Sequence, residues 1–430
     1  MIIHVVSGGE TLTGIAREYN VNIQDLAADN GLEPNLPLVV GQALAVQIPE
    51  VVHTVQRGET LSRIARQYGT TALELLRNNF KLGGSERIST GATINISYSS
   101  GQKTKSFASN SYAYPYINPS LLRKQLPYLT YFTPFTYGIS ESGGLVYQND
   151  EFMRNAANEY GVKNLLHLST LTENGGFSSE RTTLIFENEV LANALIDEIA
   201  NYASGEGFGG VDVDFEFIKP SEKYDYIRFL QELRLKLNPR GLELFSALAP
   251  KTSDSQSGTL YEGHDYAGIA AAVNYVLLMT YEWGYTYSEP MAVAPINSVA
   301  RVVRYALTRM PSDKIFMGIP TYGYDWVLPH VPGGAGAPSI SPVEAVNLAR
   351  RYGADILYDE TVQAPWFRYA DDDGRLHEVW FEDVRSITAK LALAASFDIY
   401  GIGYWNSMRD FPQNWVTLNA EYNIINFSLQ

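Results

Sequence analysis

The sequence predicts an α/β chain: a closed (β/α)8 barrel with a small α+β insertion, preceded by two βααβ modules. Three observations predict it. The first hundred residues contain a tandem repeat, and strand-like and helix-like segments alternate beyond it. One of those strands, FGGVDVDFEF at 208–217, sets three carboxylates against apolar residues. A chain of 430 residues has room for two or three domains and a sizeable core. With 45% apolar and 18% charged residues the composition is that of a soluble globular protein. A net charge of −15 argues against nucleic acid as a partner, because phosphates need a basic face. No apolar run reaches the roughly 18 residues that span a bilayer, so no membrane partner is expected. The absence of cysteine excludes disulfides and thiolate metal sites. MIIHVVSGGETLTG at the N-terminus lacks a basic n-region and an unbroken apolar stretch, so no standard export signal is expected.

In the repeat, HVVSGGETLTGIAREY (4–19) aligns with HTVQRGETLSRIARQY (53–68) at an offset of 49 residues. The match continues through Asn30 and Asn79 and, after a one-residue slip, into GQALAVQIP (41–49) and GATINISYS (91–99). Each unit, 1–49 and 51–98, reads strand, Gly-Glu-Thr-Leu turn, helix, helix, strand. Thr11 and Thr60 follow the turn, where a hydroxyl can cap the helix that starts there. These motifs resemble the LysM module over nearly its whole length. The resemblance implies a groove for N-acetylglucosamine-containing glycans between loops at about 8–12 and 31–38, and again at 57–61 and 80–87. Two weak sites in series on one polymer would gain effective concentration.

SYSSGQKTKSFASNS (97–111) reads as the joint to a third domain, 99–430. Its candidate strands are 105–112, 128–137, 163–170, 208–217, 242–249, 273–281, 314–320 and 398–405. Helices are expected between them, notably at 187–203, 221–237, 295–309 and 384–395. Eight such units in about 310 residues suit a closed barrel. An open doubly wound sheet is the alternative, but it would bring a glycine-rich phosphate loop after its first strand, and none is found. The interval 325–383 is too long for a loop and contains DGRLHEVWFED, with a hairpin turn at Asp373-Gly374. It is expected to be an α+β insertion on the catalytic rim, whose Trp326, Trp366 and Trp380 either line a cleft or pack the insertion.

Alternation places Asp212, Asp214 and Glu216 on one face of the fourth strand and Val211, Val213, Phe215 and Phe217 on the other. On a surface strand this would only keep the acids wet. Here helices flank the strand on both sides in sequence, as for a parallel strand whose outer face is covered. The acids would then point into the barrel, where a carboxylate is costly unless paired, protonated or used. Two carboxylates about 5 Å apart at an effective dielectric near 20 repel by roughly 3 kcal/mol, about two pKa units. One proton can therefore be held near neutral pH, and Glu216, nearest the strand's C-terminal end, is the best-placed donor. A metal site is the other use of clustered acids, but these are spread along a strand with no histidine spaced to complete a chelate, so neither metal nor cofactor is expected. His167, on the third strand, reads as a satisfied core residue.

GGVDVDFE resembles the DGxDxDxE signature of family 18 glycoside hydrolases, MTYE (279–282) their M-x-Y-D, and GIGYWN (401–406) their last barrel strand. Carried over, the resemblance implies that Glu216 is general acid and then base, that Asp214 orients the substrate's acetamido group, and that Asp212 shares its proton. It implies that Tyr281 holds the acetamido oxygen, that Trp405 floors the sugar, and that Met279 and Glu282 contact substrate. Two departures stand out. Gly209 replaces the signature's first Asp, which should alter proton coupling along the ladder, and Glu282 replaces the Asp of M-x-Y-D, which moves that carboxylate by a methylene.

Paired LysM modules ahead of MTYEWGY, APINSVARVVRYA and MGIPTYGYDW resemble the cortex-degrading N-acetylglucosaminidases of endospore-forming bacteria. That resemblance implies a monomeric spore protein whose partner is peptidoglycan, acting at germination and cutting after N-acetylglucosamine. Two alternatives remain: a chitinase-like barrel that binds glycans without cutting them, and a structural wall or coat protein. Retention of the acid at 216 is the feature that separates the first of these from an enzyme.

Overall fold

The computed structural model of the protein describes residues 1–99 and 103–427. The first module is β1 (Ile2–Val5), α1 (Leu12–Glu18), α2 (Ile23–Asp29) and β2 (Ala43–Val46); the second is β3 (Pro49–Thr54), α3 (Leu61–Gln67), α4 (Ala72–Arg77) and β4 (Thr93–Tyr98). In each, the two strands pair antiparallel and the helices close a small core such as Leu61, Ile64, Leu75 and Ile94. Thr11 and Thr60 accept from the Gly14 and Arg63 amides and so start α1 and α3. A His–Glu pair ties the first strand of each module to its turn, at 3.2 Å for His4–Glu10 and 2.8 Å for His53–Glu59.

The modules are docked rather than strung. Lys81 of the second pairs with Asp25 of the first at 2.6 Å, and the Asn95 side chain donates to the same carboxylate. Arg77 donates to the Pro127 carbonyl and Tyr128 to the Arg77 carbonyl, joining the second module to the barrel. Gln413 donates to Ala43 O and Asn30 Oδ1, which does the same for the first. The expected joint at 97–111 lies partly outside the described residues; its remainder begins the first barrel strand.

The barrel runs β5 (Ser106–Ala113), α5 (Pro119–Gln125), β6 (Tyr131–Pro134), a hairpin of β7 (Tyr137–Ile139) and β8 (Leu145–Val146), α6 (Glu151–Glu159) and β9 (Lys163–Leu171). It continues through α7 (Glu180–Phe186), α8 (Glu189–Gly205), β10 (Gly210–Asp214), α9 (Lys223–Leu237), β11 (Glu243–Leu248), α10 (Tyr266–Ala272), β12 (Tyr275–Leu278), α11 (Ile296–Leu307) and β13 (Ile315–Pro320). An extra sheet follows: β14 (Gly323–Leu328), β15 (Ser339–Ile340), α12 (Pro342–Tyr352), β16 (Leu357–Asp359), β17 (Ala364–Ala370) and β18 (Leu376–Trp380). Then come α13 (Val384–Ser396), β19 (Gly401–Trp405), α14 (Pro412–Glu421) and a short β20 (Asn423–Ile424) that pairs with the start of β5. Strands β5, β6, β9, β10, β11, β12, β13 and β19 are all parallel, and pairing of β9 with β10 closes the ring, so the open-sheet alternative falls. The insertion is an antiparallel sheet with one helix, α+β as expected, and Gly374 at φ +78° makes the tight turn between β17 and β18.

Val211, Val213 and Phe215 are fully buried with the helix residues Leu195, Ile199, Phe229 and Leu230, so the apolar face of the fourth strand packs outward as the alternation requires. Several strand boundaries differ from expectation: the sixth strand spans only Tyr275–Leu278 and the last begins at Gly401. The fourth strand stops at Asp214, and Glu216 stands in the turn beyond it. The second strand shortens to four residues because Phe135 and Thr136 break away before β7 begins.

Candidate active site

Asp212 is completely buried, and Asp214 sits above it on the same face of β10. Tyr112, from β5, donates to Asp212 Oδ2 at 2.6 Å. His167, opposite Asp212 on β9, brings Nε2 to 3.5 Å from Asp214 Oδ2, while its Nδ1 lies 2.7 Å from the Thr136 hydroxyl. The same hydroxyl lies 2.9 Å from the Tyr137 carbonyl, so Thr136 ties the imidazole to the start of β7. Oδ1 of both aspartates is buried without a hydrogen-bond partner. Each is a free acceptor aimed into the site, a position that something with an N–H or a proton can fill.

Burial dominates the electrostatics. It pushes Asp212 up to about 6, against the pull of His167 and the Tyr112 hydrogen bond. It also raises Asp214 and Glu216, and the Asp214 charge raises Glu216 further. The two titrate as a pair that shares a proton. The same burial drives His167 down to about 4, so the imidazole is neutral near pH 7. Tyr112 and Tyr281, buried among acids, are held well above the usual phenol range and stay hydrogen-bond donors.

Above the ladder opens a cavity of about 430 Å³. Asp214, Glu216, Met279, Tyr281, Glu282 and Trp405 all line it. Of the seven residues to which the family resemblance gave a role, only Asp212 lies beneath the lining rather than in it. Phe177 and Phe217, 61% and 53% exposed, form an aromatic lip. Trp405 packs edge-on against Phe135 and leaves a face to the cavity. Glu282 has φ +64°, a backbone state a glutamate adopts only when its surroundings impose it. Its longer side chain reaches the insertion, where it accepts hydrogen bonds from the phenols of Tyr322 and Tyr324.

One expectation, for Gly209, needs correction, and those for His167 and the insertion tryptophans are sharpened. His167 is buried as a core residue would be, but its place is beside Asp214 in the ladder. Gly209 precedes β10, and a Cβ there would lie 2.9 Å from Lys163 Cβ, so the position belongs to strand packing and not to the ladder. The three insertion tryptophans pack their sheet: Trp326 is 2% exposed, and Trp366 stacks on Trp380 at 5.6 Å, with none of them in the cavity wall. Sequence reasoning missed Tyr112, Thr136, Tyr322 and Tyr324, none of which has a local signature. Among the described residues, no group of three or more His, Asp or Glu is arranged to hold a metal ion.

A buried Asp–Asp pair rising to a glutamate at the mouth of a parallel barrel, faced by a tyrosine and a tryptophan, is the arrangement the sequence motif implied. The model of glycosyl hydrolases family 18 matches residues 100–410. The chain belongs to that family. Ahead of this family 18 barrel, a LysM domain model matches residues 4–47 and 53–97. The chain is 40% identical over 99% of its length, and 99% of the relative's, to the cortical fragment-lytic enzyme of Bacillus subtilis. Its fold superposes on the crystal structure of the Bacillus cereus spore cortex-lytic enzyme SleL with a TM-score of 0.84, at 36% identity and 99% coverage of both chains. A chitinase from Chromobacterium violaceum, 23% identical, shares the fold of the barrel at a TM-score of 0.68 over 73% of this chain and 98% of that one.

Proposed function

We propose that the protein hydrolyses peptidoglycan of the bacterial spore cortex during germination, as an N-acetylglucosaminidase that retains anomeric configuration with the help of the substrate's own acetamido group. The observation that carries this is the engagement of the carboxylates. Among the described residues Glu216 has no hydrogen-bond or ion-pair partner at the mouth, whereas Asp212 is taken by Tyr112, Asp214 faces His167, and Glu282 is held by two phenols. Family 18 glycosidases use the substrate's acetamido oxygen as nucleophile in place of a second carboxylate, and membership of that family supports the same role here.

In this reaction the sugar that donates its anomeric carbon lies on Trp405, with its acetamido group lowered toward Asp214 and Tyr281. Glu216, kept protonated by burial and by its neighbour's charge, gives its proton to the leaving oxygen. The acetamido oxygen closes on the anomeric carbon to form an oxazolinium ring. Asp214, ionised, accepts the acetamido N–H and offsets the positive charge, Tyr281 holds the oxygen, and Asp212, held by Tyr112, lies beneath Asp214. Glu216, now a carboxylate, draws a proton from the water that opens the ring, and two inversions give net retention.

The mechanism restricts the bond. A free acetamido group is required, and N-acetylglucosamine has one, whereas the nitrogen of muramic δ-lactam is tied into a ring. Mass spectrometry of borohydride-reduced products tests this: reduced N-acetylglucosamine ends are expected, and reduced muramic ends would overturn it. The LysM modules, docked on the barrel, hold neighbouring stretches of glycan, and the protein works as a monomer at the spore. No helix among the described residues is long and apolar enough to cross a membrane. A chitinase-like binding protein is the other reading, and the retained acid at 216 speaks against it.

A further inference from the structure

We infer that His264 is a positioning residue for Glu216: it holds the turn that carries the acid, 49 residues away in sequence, through the Phe215 carbonyl. This rests on Glu216 being the proton donor.

The strand ladder ends at Asp214, so the acid is displayed by a turn rather than by the sheet. A proton donor on a turn needs another anchor, because a shift of about 1 Å at a reacting group can cost about 100-fold in rate. The loop between β11 and α10 supplies one. His264 is completely buried and touches no cavity. Its Nδ1 accepts from the Ala249 amide at 3.0 Å, which leaves the ring proton on Nε2, 2.9 Å from Phe215 O. The imidazole is thus a two-sided brace: one nitrogen reads the end of β11, the other the residue between Asp214 and Glu216. Burial keeps it neutral, driving it down to about 4, so the same tautomer serves across the working range.

Two further contacts show that the brace is built. Gly263 lies so close to the turn that a Cβ there would sit 2.2 Å from Ile218 O, which only glycine permits. The buried Lys251 ammonium donates to His264 O at 2.9 Å, and the Tyr266 phenol, 2.5 Å from Ala249 O, also accepts from the Lys251 amide. His264 is therefore fixed on its backbone as well as on both ring nitrogens. The next residue after Ala249, Pro250, is itself in the cavity wall, so the brace spans two sides of the site.

The test compares His264→Leu, His264→Gln and His264→Asn in the full-length protein, with Glu216→Gln as reference. Leu removes the donor; kcat on cortex fragments should fall about 100-fold with KM within about threefold, and the alkaline limb of the kcat–pH profile should move. Gln carries an amide donor near the Nε2 position and should recover at least about tenfold of that loss, whereas the shorter Asn should not. If Leu fails to fold, the Gln–Asn pair decides alone. Wild-type kcat and pH profile per folded molecule in the Leu variant, or equal kcat for Gln and Asn, would overturn the inference. Full activity in Glu216→Gln would instead sink the catalytic reading beneath it.

Discussion

The barrel interior is filled at one end by rings and at the other by acids. At the base, Tyr131, Phe245 and Phe316 meet edge to face with centroids 5.1–6.0 Å apart, and Tyr275 stacks on Tyr400 at 4.8 Å. At the mouth, the same ring of strands presents Tyr112 and Asp214 to an open cavity, with Asp212 and His167 buried beneath them. Both ends remove side chains from water, but with opposite sign. Burying an aromatic ring stabilises the fold by about 2–3 kcal/mol, while burying a carboxylate raises its pKa and costs stability wherever it must ionise. The base makes the barrel rigid, and the mouth uses that rigidity to hold groups that would not choose to be there.

The sharpest break of this comparison is at the mouth. Glu216→Gln should lower kcat by about 10³-fold, as loss of a general acid implies, while glycan binding persists and the melting temperature does not fall. Release of reducing ends and a thermal scan on the same sample check it; a parallel loss of both would show that the acid supports the fold. The mirror experiment is at the base. Phe245→Ala should cost about 3–5 kcal/mol in denaturant unfolding, yet lower kcat per folded molecule far less than Glu216→Gln does, because Phe245 packs in the core opposite Asp212 and does not line the cavity.

A smaller effect has a definite sign. Asp212 is lifted to about 6 in the fold from 3.8, so between those values the native state binds more protons than the unfolded one. Stability from this group is therefore greatest below about pH 3.8 and declines as pH rises through 6, by at most about 3 kcal/mol. Asp212→Asn cannot ionise and keeps the oxygen that accepts from Tyr112. Its melting temperature should exceed that of the wild type by more at pH 8 than at pH 4.5. His167 and His264, both held near 4, work the other way, losing stability as pH falls from 6.5 toward 4; His264 cancels in the difference, whereas His167 loses the upward pull of the Asp212 charge in the variant and so adds to the same sign. A difference independent of pH would mean that burial does not set the mouth's titration.

What could be read beforehand follows the same division. The eight strands and the outward packing of Val211, Val213 and Phe215 were legible because alternation and apolar runs are local signals. The acid ladder was legible for the same reason, and Tyr281 and Trp405 through their motifs. Glu216 was placed on the strand because period-two alternation continues through Phe217, although the chain has already turned. Short helices such as α5, α7 and α10, seven residues each, gave too few turns to show a periodicity. The partners of the acids were out of reach: Tyr112 is 100 residues from Asp212, and Tyr322 is 40 from Glu282.

By itself, then, the order of residues along the chain determined which side chains share a face: Asp212 and Asp214 inward, Val211, Val213 and Phe215 outward, two glycan-module repeats ahead of them. Folding in three dimensions decided what those acids meet. Ring closure brought a phenol and an imidazole from other strands against Asp212 and Asp214, and a loop histidine under Glu216. The reason is range: side-chain periodicity acts over a few residues, whereas a carboxylate's proton is governed by whatever lies within about 4–6 Å in space.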